Sequence, residues 1–223
     1  MELLLQNFFN LKMLAEAAPI LWAGFRMTLL LCVVVVPLGL LGGLAVALAA
    51  RARTRWVRWP LVAYVDFFRA FPPLVLLMFI AFGLPFLGLE LPAFAAVALA
   101  FLLNTSSYYG EIFRAGIESV PRQQTEAARS TGLSATQTMT WVILPQAVRN
   151  VVPDLISNTL EVVKLTSLAS VVALPELLYA ARQAQSLTYN ATPILAAGLI
   201  YLICLWPMVR LLSRFEHRQI ALH

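Results

Sequence analysis

A chain of 223 residues that is 61% hydrophobic and 12% charged, with a mean hydropathy of +0.80, is too apolar to stay dispersed in water, so the bilayer is its expected solvent. The formal net charge of +5 would suit nucleic acid, but the arginines gather just outside apolar runs instead of forming one basic face, which argues against that partner. Cys32 and Cys204 both fall inside apolar runs, where a thiol behaves as a small hydrophobe, so neither a disulfide framework nor redox chemistry is expected.

In chain order, Glu2 precedes the apolar Leu3 to Leu5 without the basic start or small-residue cleavage site of a secretory signal. The first span is therefore expected to direct insertion. Four stretches carry no Asp, Glu, Lys or Arg: 27–50, 70–89, 91–110 and 183–209. Each holds the roughly 20 residues that cross a hydrocarbon core of about 30 Å. A fifth apolar stretch, about 151–174, contains Glu161 and Lys164. Arg51, Arg53, Arg55 and Arg58 follow the first span, Arg114, Arg122, Arg129 and Arg149 flank or occupy a polar loop after the third, and Arg210, Arg214 and Arg218 follow the last. The turn 83–92 has no Lys or Arg, and the turn 175–192 has only Arg182. By the positive-inside rule the basic regions are cytoplasmic. The expected fold is thus an all-α membrane protein of five transmembrane helices, N-terminus outside and C-terminus in the cytoplasm, as one domain over 1–223.

Within the first span, Gly24, Gly39, Gly42 and Gly43 offer small surfaces for close helix packing. Asp66 and Arg69 then stand three apart on one helical face, and Pro72 and Pro73 are expected to break or kink the helix, with the backbone donors freed there needing a buried or wet environment. That break is either part of a pathway or a plain interfacial kink. The third span runs out through Asn104, Tyr108 and Glu111 to Arg114, again with an acid and a base three apart. After Pro121 the spacing predicts a helix over about 123–130, a turn at Gly132 and a second helix from about 135 with Ser134 as its N-cap.

The polar loop, about 117–150, carries Glu126, Ala127, Ala128, Gly132, Val142, Leu144 and Pro145. Taken singly, Glu126 is a solvated helix residue and Gly132 an ordinary cap. Taken together, the spacing resembles the permease subunits of binding-protein-dependent ABC importers, whose loop has Glu-Ala-Ala, three residues, Gly, nine residues, then Ile-x-Leu-Pro. Val142 replaces the Ile. Tyr109 to Ile117, Leu144 to Arg149, Lys164 to Leu168 and Arg69 to Leu74 are similar to the polar-amino-acid branch of these importers, so the likeness runs from about 20 to 215. Arg122 and Leu165 depart from it, standing where the branch usually has Gly and Asp.

The resemblance implies a coupling helix over roughly 119–132, seated on a pair of separate ATP-binding subunits, with Glu126, Ala127, Ala128, Gly132, Leu144 and Pro145 as the coupling residues. It also implies a second permease subunit, identical or similar, a periplasmic or extracellular amino-acid-binding protein, surrounding lipid, and a multi-pass place in the bacterial inner membrane. ATP and Mg are expected on the partner, because this chain has no Gly-x-x-x-x-Gly-Lys-Ser/Thr phosphate cradle.

Asn158, Glu161 and Lys164 share one helical stripe of the fourth span. Charges at such depth cost about 2.5 to 3.5 kcal/mol each and generally face a partner or a wet cavity. Either Glu161 and Lys164 neutralise each other, or Glu161 faces the passage and attracts the ammonium of an amino acid, with Lys164 nearer the cytoplasmic end or pairing with a partner helix. Two other classes fit the sequence less well. An intramembrane enzyme lacks any recognisable hydrolytic motif, since His217 and His223 are the only histidines. A stand-alone secondary transporter would show inverted repeats, which are not evident.

Overall fold

The computed structural model describes residues 6–52 and 54–220. Expectations resting on Glu2, Leu3 to Leu5, Arg53 and His223 lie outside them, as do the side chains of Arg214, His217 and Arg218. The described chain is helical throughout: α1 (Leu11–Ala49), α2 (Arg55–Ala70), α3 (Pro73–Met78), α4 (Ala93–Ser119), α5 (Arg122–Ser130), α6 (Ala135–Gln137), α7 (Leu144–Leu165), α8 (Leu177–Thr188) and α9 (Thr192–Ile220). Wide π turns follow α3 (Phe79–Gly83) and α6 (Thr138–Ile143), and tighter 3-10 turns occupy Leu84–Leu87 and Thr166–Val172.

Among the described residues, three segments are long and apolar enough to cross a membrane, Gln6–Ala49, Ala135–Val172 and Thr192–Arg210, and the bent pair Arg55–Ala70 with Pro73–Leu87 makes a fourth when counted as one broken span. α4 has 27 residues, about 40 Å of helix, but polar residues fill its second half. These elements support a membrane fold built of helices.

The boundaries differ from the sequence reading in instructive places. α1 begins well before residue 27, where Asn10 Oδ1 accepts from the backbone N–H groups of Lys12 (3.1 Å) and Met13 (3.2 Å). Its charged residues did not stop it, because Ala17, Leu21, Gly24, Thr28, Leu31 and Val35 recur at helical spacing as one buried stripe. The stretch 183–209 is not one helix. It breaks between α8 and α9 at Tyr189 (φ +50°), and Asn190 Oδ1 accepts from Thr192 N at 2.9 Å to start α9 just before Pro193. Charge-free composition hid that cap.

α1 lies along α4 and α8, and α4 crosses α7. Small residues set these distances. A Cβ on Gly43 would meet Tyr109 Cβ at 2.5 Å and the backbone nitrogen of Gly110 at 2.7 Å, so the two helices touch backbone to backbone there. Gly39 and Gly42 also face α4, while Gly24 faces Ala180 and Glu176 across α8. The first span is the packing helix its glycines announced.

Candidate functional site

The break before α3 is built by what two prolines cannot do. Without N–H groups, Pro72 and Pro73 leave the carbonyls of Phe68 and Arg69 without their helical partners. The freed groups are therefore acceptors, not the donors expected from the sequence. Asn104 Nδ2 donates to Phe68 O at 3.1 Å, and the Tyr108 hydroxyl donates to Arg69 O at 3.2 Å. Two residues one turn apart on α4 thus satisfy both carbonyls and hold a 103° bend between α2 and the segment Pro73–Leu87. Farther back, the Tyr64 hydroxyl donates to Leu103 O at 3.1 Å and lies 2.7 Å from Ser106 Oγ. Arg69 does not pair with Asp66: its guanidinium stands 3.9 Å from Glu111 and over the Tyr108 ring. Glu111 also receives Arg114, whose Nε donates at 2.9 Å, so that acid–base pair forms as its spacing predicts.

The same stretch of α4 lines a cleft with Pro73 and α7. Asn104, Thr105 and Tyr108 face Asn158, Glu161, Val162 and Leu165 across it. Of the three residues singled out on α7, Asn158 and Glu161 reach this cleft and Lys164 does not. Lys164 Nζ instead donates to Glu161 Oε1. Both side chains are more than half exposed (52% and 63%), so the pair contributes about 0–1 kcal/mol and is readily exchanged. Since α7 leads away from the loop, Lys164 lies about one turn farther from it than Glu161 does. Among the described residues, Thr105 Oγ1 and Asn158 Nδ2 are buried without a well-formed hydrogen bond, Asn158 making only a looser polar approach to the Tyr109 hydroxyl. Such groups cost about 1–3 kcal/mol each when left dry; both residues line the cleft, with Thr105 Oγ1 itself packed against Gly39 of α1.

The loop is as legible in space as in sequence. α4 ends at Ser119, so the helical segment expected from about 119 starts only at Arg122, after Val120 and Pro121. Gly132 has φ +86°, a left-handed backbone that a Cβ resists, and its N–H donates to Arg129 O at 3.1 Å. Ser134 forms a capping box: its hydroxyl accepts from Gln137 N at 3.2 Å, while Gln137 Oε1 accepts from Ser134 N at 2.9 Å. Glu126, Ala127, Gly132 and Pro145 are exposed, and Leu144 is half-buried. Ala128 is buried, on the side of α5 that packs on the π turn Thr138–Ile143. The wide turn has a cause: Pro145 cannot donate to the carbonyl four residues back, and Gln146 Nε2 reaches Val142 O at 2.7 Å. Ile117, Val120, Ile143 and Ala147 then anchor this unit to the membrane helices.

One buried acid was missed by sequence reasoning. Glu176, fully buried, caps α8 by accepting from Leu178 N (2.8 Å) and Tyr179 N (2.7 Å), and the Tyr201 hydroxyl donates to it at 3.2 Å. Burial pushes its carboxyl above the ordinary value, while the backbone N–H donors, Tyr201 and Arg182 pull the other way. Pro175 followed by Glu176 and an apolar run was the available signal of a helix start.

Residues 36–220 match the family described as binding-protein-dependent transport system inner membrane component. The chain is 38% identical over 201 residues, 89% of each protein, to a probable amino-acid ABC transporter permease of Bacillus subtilis (strain 168), YckA. It is 34% identical to the arginine transport system permease ArtQ of the same organism, covering 83% of this chain and 85% of that one. A chain from the crystal structure of an amino acid ABC transporter with histidines superposes with a TM-score of 0.83 at 35% identity, covering 92% of this chain and 96% of that one. The inward-facing MetNI methionine transporter, at 20% identity and a TM-score of 0.74, shares the fold. With its apolar helices and a match over most of its length, the chain belongs to the inner-membrane components of binding-protein-dependent transport systems, the multi-pass permeases of ABC importers.

Proposed function

We propose that this permease forms half of an alternating-access passage for polar or charged amino acids, and that the cleft between α4 and α7 is where the substrate is held. The observation that carries this reading is Asn158 Nδ2, buried without a well-formed hydrogen bond, on the wall of the same cleft as an exchangeable carboxylate, Glu161. A substrate amide or carboxylate accepts from Asn158, and a substrate ammonium takes the place of Lys164 on Glu161. Relatives whose names specify glutamine, arginine and L-cystine transport support a polar amino-acid cargo.

Membership of the family implies an ATP-binding subunit and a substrate-binding protein as partners. On our reading the ATP-binding subunits form a pair that carries ATP and Mg, and this chain contributes no nucleotide chemistry. α5 with Glu126, Ala127 and Gly132 seats in them, and Ala128, Leu144 and Pro145 tie that seat to α7. The chain acts as a single domain of five spans, with α4 and the segment Pro73–Leu87 after the bend counted among them, N-terminus outside, and pairs with a second permease. Closure of the ATP-binding subunits then drives a rigid-body switch between two bundle arrangements.

Two measurements test this. Gly132→Asp should release the ATP-binding subunit in a pull-down, or uncouple its hydrolysis from the binding protein, and retention of both would refute the loop's role. Glu161→Gln in the reconstituted transporter should lower arginine uptake more than glutamine or glutamate uptake. Uptake unchanged for all three would remove Glu161 from the pathway.

A further inference from the structure

α2 has an apolar side that none of the described residues covers. Its inward side, Leu61, Tyr64, Val65 and Phe68, rests half-buried on the bundle, while Trp56, Trp59 and Phe67 are 89%, 65% and 53% exposed. At helical spacing these three lie on one stripe. The basic residues beside it are Arg51, Arg55 and Arg58, all exposed, and the sequence between Glu16 and Asp66 holds no acid. Among the described residues none of these arginines has a carboxylate within ion-pair distance.

Orientation decides between possible coverings. The 103° bend sets α2 almost at right angles to Pro73–Leu87. If that segment crosses the bilayer, α2 runs along the membrane plane, where a tryptophan stripe facing the acyl boundary and arginines at headgroup level suit an interfacial helix. The bend is pinned by the two side-chain bonds from α4, so this attitude is built in. We propose that α2 is an in-plane anchor whose Arg55 and Arg58 bind the headgroups of anionic phospholipids while Trp56 and Trp59 enter the lipid beneath them. Charge complementarity favours an anionic lipid over a second protein here: three arginines without a carboxylate partner, beside exposed tryptophans, fit a phosphate-rich surface.

The test uses the complex of the permease with its ATP-binding partner in phosphatidylcholine vesicles containing a trace of photoactivatable phosphatidylglycerol or, separately, photoactivatable phosphatidylcholine. After irradiation, lipid adducts on peptides from 55–70 are counted by mass spectrometry. Each arginine near an anionic surface enriches such lipid about fivefold, so phosphatidylglycerol should label α2 several-fold more than phosphatidylcholine does. Arg55→Gln with Arg58→Gln should bring the two lipids to parity while phosphatidylcholine labelling stays. High salt on the unaltered protein should shrink the preference in the same way, which keeps the test independent of the variant's folding. Equal labelling by both lipids overturns the proposal. So does the absence of label from either, which would show a second permease or another protein seated on α2. Because adducts and not transport are read, the outcome stands apart from the amino-acid reading of the cleft.

Discussion

The seam between α1 and α4 and the α5 loop use glycine for opposite purposes. At the seam Gly43 is there to be touched: backbone from the facing helix fills the space its Cβ would take. At the loop Gly132 has nothing within 4 Å of the place a Cβ would occupy and is there to turn, at φ +86°. One region is specified by volume and the other by backbone conformation and caps. Stability should therefore live in the first, and, on the proposed docking, partner recognition in the second.

The largest effect that would break this contrast is at the seam. Gly43→Val places atoms against Tyr109 and the backbone of Gly110, neither of which can retreat cheaply, and overpacking of this kind costs about 1–3 kcal/mol or more. The detergent-solubilised protein should lose several degrees of thermal midpoint. Gly132→Ala, with only local backbone strain, should change the midpoint less, and the reverse order would mean that the seam is loose.

A second test sharpens the picture of the interior. A carboxyl whose folded value is raised, as burial raises Glu176, favours the folded state most below its unfolded value, and that contribution is lost as pH rises through the folded value. Stability should thus fall across that window in the unaltered protein. Glu176→Gln keeps an acceptor for the α8 cap but has no charge to bury, so its midpoint, followed by thermal unfolding against pH, should be flatter. An identical pH profile would mean that Glu176 is solvated.

The smallest effect belongs to the loop. Ser134→Ala removes one half of the capping box and should cost about 1 kcal/mol, seen as faster amide exchange over 134–137 with the membrane helices unaffected. Exchange that spreads into α4 would show the loop and the core to be one cooperative unit.

Much of this was legible in the sequence, for reasons that can be named. Local rules sufficed for the loop: Pro121, Gly132 and Ser134 each act within a few residues of themselves, so α5, the turn and the Ser134 cap appear where spacing puts them. They sufficed also for the bend at Pro72 and Pro73. What escaped was whatever depends on residues distant in the chain. The partner of Arg69 is Glu111 and not Asp66, although Asp66 is nearer in sequence. The stripe that carries α1 back to Leu11 exists because α8 lies beside it, and Asn104 reads as an ordinary polar residue until Phe68 O is found without a helical donor. In the candidate cleft, the placement of Asn158 and Glu161 on one face was readable, whereas the exclusion of Lys164 required the shape of the α4 side.

α5 presents two unlike faces, with Ala128 turned inward onto the π turn and Glu126 and Ala127 turned outward. A substitution on the outer face changes what the helix can dock with and leaves its seating on the chain alone. If the ATP-binding subunit docks there as proposed, compatibility with it can drift or be exchanged between transport systems by a few surface changes, while the inward alanine stays fixed by the fold. Partner choice and architecture would then be, in this segment, separately heritable.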